Sequence, residues 1–215
     1  RLEEILAEFN GAVVFMLPPS SVNDANKDKL DKVLRLLTCA EVSNVTLVSS
    51  TGIFINNPET WVRNSTIPRL AEVRSEKINQ IELTFLQSGI NLSIARLSGI
   101  YGPSRIIGLK SLLKSQRLIG TGKEYLNFVH VDDAARAILR LGYNNISGKF
   151  NISDNNPVLR CDYYGFLSKI YGCSKPKFDN FPRYSYYCDS SETWKLLSLS
   201  PQYKNILLEL PELLG

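Results

Sequence analysis

Residues 45–52, VTLVSSTG, form an apolar run that closes on two serines, a threonine and a glycine. Such a run, without polar alternation, suits a strand buried on both faces of a parallel sheet. Upstream, residues 11–17 (GAVVFML) read the same way and are stopped by Pro18 and Pro19. Between the two runs, residues 26–40 carry Leu30, Val33, Leu34, Leu36 and Leu37 at near-helical spacing among charges, which predicts an amphipathic helix. Downstream, a polar segment holding Trp61 leads into a long helix over 69–88, closed by Gly89, and a third strand over 91–97 (NLSIARL). Strand, helix, strand, helix, strand is the grammar of a parallel α/β sheet.

After Pro103 the elements shorten and mix. Helices are expected over 105–115, 132–141 and 161–171, and strands over 127–131 and 149–152. A tail rich in aromatics follows from about residue 175. This predicts a smaller mixed lobe packed on the parallel sheet.

With 215 residues, 44% hydrophobic and 21% charged, the composition is that of an ordinary globular chain and excludes collagen-like and acidic-disordered classes. No apolar stretch reaches the roughly 18 residues of a membrane span, so no membrane partner is expected. A net charge of +4 is too mild to announce a nucleic-acid partner. Cys39, Cys161, Cys173 and Cys188 show no metal-ligand spacing, and the chain does not open on a secretory signal. The cysteines therefore read as reduced thiols in a cytoplasmic setting, with no metal site expected. Sequons at Asn44, Asn64, Asn91, Asn145 and Asn151 fall mostly at strand starts, where the reading is structural.

VVFMLPPS (13–20), VTLVSSTG (45–52), RLSGIYGP (96–103) and FVHVDD (128–133), in that order, resemble the extended short-chain dehydrogenases/reductases. This is the superfamily of NAD-dependent epimerases and dehydratases that act on nucleotide sugars. The double proline and Trp61–Val62 are similar to an atypical, SDR-like branch. The resemblance runs from about residue 11 to 154. It implies a Rossmann-like parallel sheet, strands four onward, with a smaller mixed α/β substrate lobe. Residues 1–103 are then the remainder of an NAD(P)-binding domain. Residues 104–215 are mostly the substrate lobe, with some segments returning to the main sheet.

The same resemblance implies site residues. Ser50 falls where the family has its catalytic Ser or Thr, at the carboxyl end of a strand, where open α/β sheets bind ligands. Pro18, Ser49 and Leu97 are expected to line the cofactor side, with NAD or NADP as the cofactor. The family's acid/base Tyr and its Lys partner four residues later correspond here to Arg74 and Ile78. A guanidinium stays protonated and takes no proton, so any oxidoreductase or epimerase chemistry is atypical. The alternative is a non-catalytic NAD(P)-binding sensor or scaffold. The Y-x-x-x-K string at Tyr171 to Lys175 straddles Gly172 and stops before Pro176, so it ends a helix and is rejected. Leu97 and Gly99 stand where sugar-nucleotide enzymes usually carry Pro and a diphosphate-binding Asn, which makes a nucleotide-sugar substrate less expected. The counterpart of His130 is mainly structural.

No G-x-x-G-x-x-G or G-x-G-x-x-G occurs, and the pair Gly120 and Gly122 reads as a loop. The chain starts at Arg1 and its one Met is Met16. By the family analogy residues 11–17 are the fourth strand, and roughly 60 to 80 residues of βαβ structure are expected upstream. An unpartnered apolar strand at 11–17 is expected to be an association-prone edge. Helices 26–40 and 69–88 are expected to pair across a two-fold, giving a homodimer, and the substrate is expected to be a small molecule.

Overall fold

The computed structural model describes residues 9, 11–18, 24–40, 42–55, 57 and 60–211, apart from the side chains of 24–27. The chain's opening residues, Pro19 and Ser20 lie outside the described residues. Four parallel strands carry the molecule: β1 (Gly11–Met16), β2 (Val42–Ser50), β4 (Leu92–Leu97) and β8 (Gly148–Ile152), in the spatial order β1-β2-β4-β8. Val13 pairs with Val45, Leu47 with Ile94 and Ala95 with Phe150. Every residue of β4 is buried, Ser93 and Arg96 included, as befits a strand covered on both faces. Among the described residues β1 is an edge, paired on one side, and it exposes Val14 and Met16.

Alternation across the strands sorts the two faces. Val45, Leu47, Leu92 and Ile94 pack against Leu30, Leu34 and Leu37 of α1 (Asp24–Cys39) and against Ile81 and Phe85 of α2 (Val73–Leu86). Ala95 and Leu97 point the other way. They join Ala134, Ala137 and Leu141, the inward stripe of α4 (Val131–Tyr143). That helix lies close on the sheet because Gly142 has no side chain: a Cβ there would stand 3.1 Å from the Cβ of Ala12.

The smaller lobe has its own core of Tyr101, Leu112, Phe128, Tyr163, Leu167 and Ile206. It is built from paired short strands. β5 (Gly99–Tyr101) runs parallel to β7 (Phe128–His130), and β6 (Tyr125–Leu126) runs antiparallel to β9 (Val158–Leu159). β3 (Trp61–Val62), in the polar segment, pairs in parallel with β10 (Tyr187–Cys188) of the tail. The helix expected over 105–115 is only α3 (Leu109–Leu113): Gly108 at its start and Ser115 beyond its end both have left-handed φ, 72° and 53°. α5 (Arg160–Ile170), α6 (Ser191–Leu196) and α7 (Ile206–Glu209) complete the lobe and the tail. α2 begins four residues later than expected, where Glu72 and Ser75 form a reciprocal capping box. Among the described residues no helix is long and apolar enough to cross a membrane.

A buried ion pair crosses from helix to sheet. Arg96 on β4 meets Glu82 on α2 in a bidentate contact, Nε to Oε1 at 2.9 Å and Nη2 to Oε2 at 2.6 Å, with both side chains 2% exposed. Ser49 donates a further hydrogen bond to Glu82 Oε1 at 2.6 Å, and the guanidinium carbon lies 5.2 Å from the centre of the Phe54 ring. Removing one partner strands the other charge in the core. Glu82→Ala is therefore expected to lower unfolding free energy by about 3–5 kcal/mol in urea titrations, whereas combining Glu82→Leu with Arg96→Met costs far less. Equal losses in the single and double variants are the outcome that contradicts this account.

Candidate functional site

The carboxyl ends of β1, β2 and β4 form one edge of the sheet, the edge at which open parallel sheets bind ligands. Ser50 is the last residue of β2, and its Oγ accepts the Gly52 N–H at 3.0 Å, capping the 3-10 turn Thr51–Phe54. The neighbouring hydroxyls are taken up internally. Thr51 donates to the Leu97 carbonyl at 3.3 Å, and Tyr186, arriving from the tail, donates to Thr51 Oγ1 at 3.0 Å. Burial pushes the Tyr186 phenol above the ordinary tyrosine range, so it stays protonated at neutral pH; the Thr51 contact and the charge of Arg74 act in the opposite sense.

Arg74, in the first turn of α2, is exposed and lies over Gly52. A Cβ on Gly52 would stand 3.2 Å from Ser50 Oγ, 3.4 Å from Arg74 Nε and 3.5 Å from Arg74 Nη2. The bare glycine thus lets a hydroxyl and a guanidinium both stand close over it. Ile78, one turn further along α2, is 2% exposed among Ile53, Phe54, Val62 and Cys188. Lys77 is exposed beside it in sequence.

The remaining expected residues are spread around this corner. Pro18 is exposed just past the end of β1. Ser49 turns to the other face of β2 and is held by Glu82. The Leu97 side chain is 4% exposed in the α4-side core, and what it presents to the edge is its carbonyl. Ser50 and Arg74 are brought together. Gly99 is locked by packing, since a Cβ there would come within 3.0 Å of the Asn127 carbonyl and 2.8 Å of Ile107. Any side chain at that position requires Ile107 to swing aside and the Asn127 carbonyl to give way.

Two further motifs turn inward. Gly120 and Gly122 bracket a turn with φ of 98° and 88°, and the Glu124 carboxylate fills it, accepting the Thr121 and Gly122 N–H groups at 2.7 and 2.9 Å. The loop therefore carries its own anion. In FVHVDD, His130 Nδ1 accepts the Asp132 N–H at 3.3 Å and caps α4. Its ring stacks on Tyr203 with centroids 3.6 Å apart. Asp133 accepts the Gln202 and Tyr203 N–H groups at 2.9 and 3.0 Å and Arg136 at 2.7 Å, which docks the tail. Among the sequons, Asn44 and Asn151 are fully buried. Thr51, Tyr186 and Glu82 are the participants that the residue patterns did not single out.

Solved structures share this fold. A protein described as functionally unknown and conserved, from Silicibacter pomeroyi DSS, superposes with a TM-score of 0.77 at 19% identity, over 94% of this chain and 76% of its own. MoeE5, solved with UDP-glucose and NAD, does so at 0.76 and 15% identity, over 100% and 82%. UDP-glucuronic acid 4-epimerase from Bacillus cereus, solved with UDP-glucuronic acid and NAD, does so at 0.75 and 19%, over 98% and 76%. The fold is thus a Rossmann-like α/β fold, shared with these structures. No family model matches the chain, and no curated protein sequence does.

Beneath the small lobe's side of the edge, Asp154 is buried and its Oδ2 has no partner among the described residues. Burial pushes its carboxyl up to about 8, the Asn156 N–H at 2.9 Å opposes this, and the charge of Asp133 adds to it. Folded Asp154 therefore keeps a proton that the unfolded chain releases near pH 4. Its contribution to stability is complete below about pH 4 and is lost as pH rises through about 8, with a slope of at most about 1.4 kcal/mol per pH unit. Urea midpoints at pH 5 and pH 8 check this: Asp154→Asn flattens the decline, and an unchanged slope contradicts the assignment.

Proposed function

We propose that the chain is an atypical NAD(P)-binding protein of the extended short-chain dehydrogenase/reductase type. Its chemistry is of oxidoreductase or epimerase kind, with Ser50 and Arg74 at the reacting end. The observation that carries this reading is the pairing of a hydroxyl and a guanidinium over Gly52 at the carboxyl edge of the sheet. Support comes from the fold shared with structures solved with NAD and a nucleotide sugar.

The donor set at this corner fits the ring end of a nicotinamide cofactor and the oxygen of a carbonyl or alcohol substrate. A bound nicotinamide supplies a hydride or accepts one. The chain's own residues polarise and orient. Ser50 offers an O–H and Arg74 offers planar N–H groups to a substrate oxygen on which negative charge develops, and such donors act strongly where water is sparse. Neither takes a proton from substrate: guanidinium stays charged, and Ile78 is apolar and buried. Removal of a substrate proton therefore falls to solvent, and turnover is slower than with a Tyr–Lys pair by about the 10²–10⁴-fold that a positioned acid/base contributes.

The test is NADH and NADPH binding by fluorescence, followed by transfer of deuteride from labelled cofactor to small carbonyl compounds. Ser50→Ala is expected to lower turnover by about 10²-fold or more while leaving cofactor affinity within a few-fold. Binding without any transfer favours a sensor, and failure to bind either cofactor overturns the reading.

The proposal includes a homodimer through α1 and α2. Leu83 and Leu86 stand 44% and 42% exposed on α2. A groove of about 460 Å³ runs between the helices, lined by Leu34, Arg35, Thr38, Thr84 and Gln87. Light scattering after size exclusion is expected to give twice the 24.2 kDa chain mass. Introducing Glu at both Leu83 and Leu86 is expected to give the single-chain mass, and a single-chain mass for the unmodified protein refutes the pairing.

A further inference from the structure

We infer that the Ser50–Gly52–Arg74 corner is an oxyanion-binding subsite, built to take a carboxylate or phosphate group carried by the ligand. The inference rests on reading the carboxyl edge as the ligand-binding edge and adds the chemical class of what binds there.

Donors and acceptors at the corner do not balance. Ser50 Oγ uses a lone pair on the Gly52 N–H at 3.0 Å, which leaves its own O–H to give. Among the described residues that O–H meets no acceptor, and Arg74 has no ion pair and no hydrogen-bond acceptor. The hydroxyls of Thr51 and Tyr186 are spent on the Leu97 carbonyl and on Thr51 itself. The two carboxylates of α2's first half are placed otherwise: Glu72 closes the capping box and lies 4.0 Å from Arg183, and Glu76 is exposed in the first turn. What remains at the corner is donors alone, one O–H and a planar fork of N–H groups, each within 3.5 Å of the Cβ position of Gly52 and so within reach of one small group.

A ligand group that is all acceptor answers such a corner, and a planar guanidinium matches carboxylate or phosphate in two-point geometry. A carbonyl meets the corner with one oxygen, whereas a carboxylate or phosphate adds a second acceptor and a full negative charge. Gly52 itself contributes the space: any side chain there lands between Ser50 Oγ and the Arg74 fork, at 3.2 to 3.5 Å from each.

The experiment is isothermal titration of the full chain, without nicotinamide cofactor, at fixed ionic strength, using inorganic phosphate and, separately, pyruvate as a small carboxylate. Wild type is expected to bind at least one of them in the millimolar range. Arg74→Gln is expected to weaken that binding about tenfold or more, and Arg74→Lys to restore part of it, because charge survives while the fork is lost. Gly52→Ala is expected to weaken it without removing either donor. Arg63→Gln, at a cation already paired with Asp189 at 2.9 Å, is the control and is expected to bind as wild type does. Arg74 is exposed, so its variants are expected to fold, which circular dichroism confirms alongside. Tighter phosphate assigns the group to a phosphoester, and tighter pyruvate to a carboxylic acid. No binding of either probe by wild type, or equal binding by Arg74→Gln, overturns the subsite. Failure of NADH to bind in a parallel titration bears on the proposed function alone.

Discussion

Arg96 and Glu82 are two full charges placed in an interior where each on its own is strongly disfavoured, and their bidentate contact is what makes the junction of sheet and helix possible. The pair fixes more than itself. It sets the rotation of α2, so that Ile81 and Phe85 meet Val45, Leu47 and Ile94 while the helix's other side faces outward. It draws Ser49 out of the edge and onto Glu82, and it seats Phe54 beneath the guanidinium. With Glu82 pinned, Arg74 lies eight residues back along the helix, about 12 Å at 1.5 Å per residue, and so overhangs the end of the strands. The candidate site is a downstream consequence of the buried pair.

The sheet was legible because strands in a parallel sheet read as short, mainly apolar runs bounded by turn residues, and residues 11–17, 45–50 and 91–97 supply one each. The ion pair was not. Arg96 sits inside one of those runs, and only the two-residue alternation of β4 sends it to the α2 face, opposite Ala95 and Leu97. An arginine at an inward position of a fully buried strand is itself a signal that a carboxylate faces it, and Glu82 on the inner side of α2 is the match. Short elements failed for a different reason. α3 is bounded by left-handed residues whose conformation is imposed by their contacts: Gly108 is where Tyr164 packs, at a distance no Cβ would tolerate. β3 and β10 are two residues each and exist because the tail returns to Trp61.

The site divides along the same line. Ser50 was readable as the hydroxyl at a strand's end, and Arg74 from its place on the following helix. Their convergence over Gly52 depends on where a 3-10 turn puts its first glycine, which no spacing rule encodes. Tyr186 reaches Thr51 from 135 residues away, a contact that belongs to the tertiary fold alone. Leu97 and Ser49 show the limit of transferring positions by alignment, since both occupy the right strand ends yet direct their side chains into the core and onto Glu82.

A Tyr–Lys pair and a Ser–Arg corner differ in the kind of help they offer a reaction. The first moves a proton, because the ammonium brings a phenol's pKa toward neutrality. The second cannot, because neither group changes charge near pH 7. The tyrosine nearest the corner, Tyr186, is buried enough to hold its proton more tightly than a free phenol, despite the cation beside it. With Ile78 absorbed into the core, α2 carries a fixed positive charge at its first turn and a sealed contact one turn later. Fixed charge favours ligands and transition states that bring negative charge to one point. Under the proposed assignment, the corner anchors an acid or phosphate and polarises an oxygen, and neither Ser50 nor Arg74 acts there as a base.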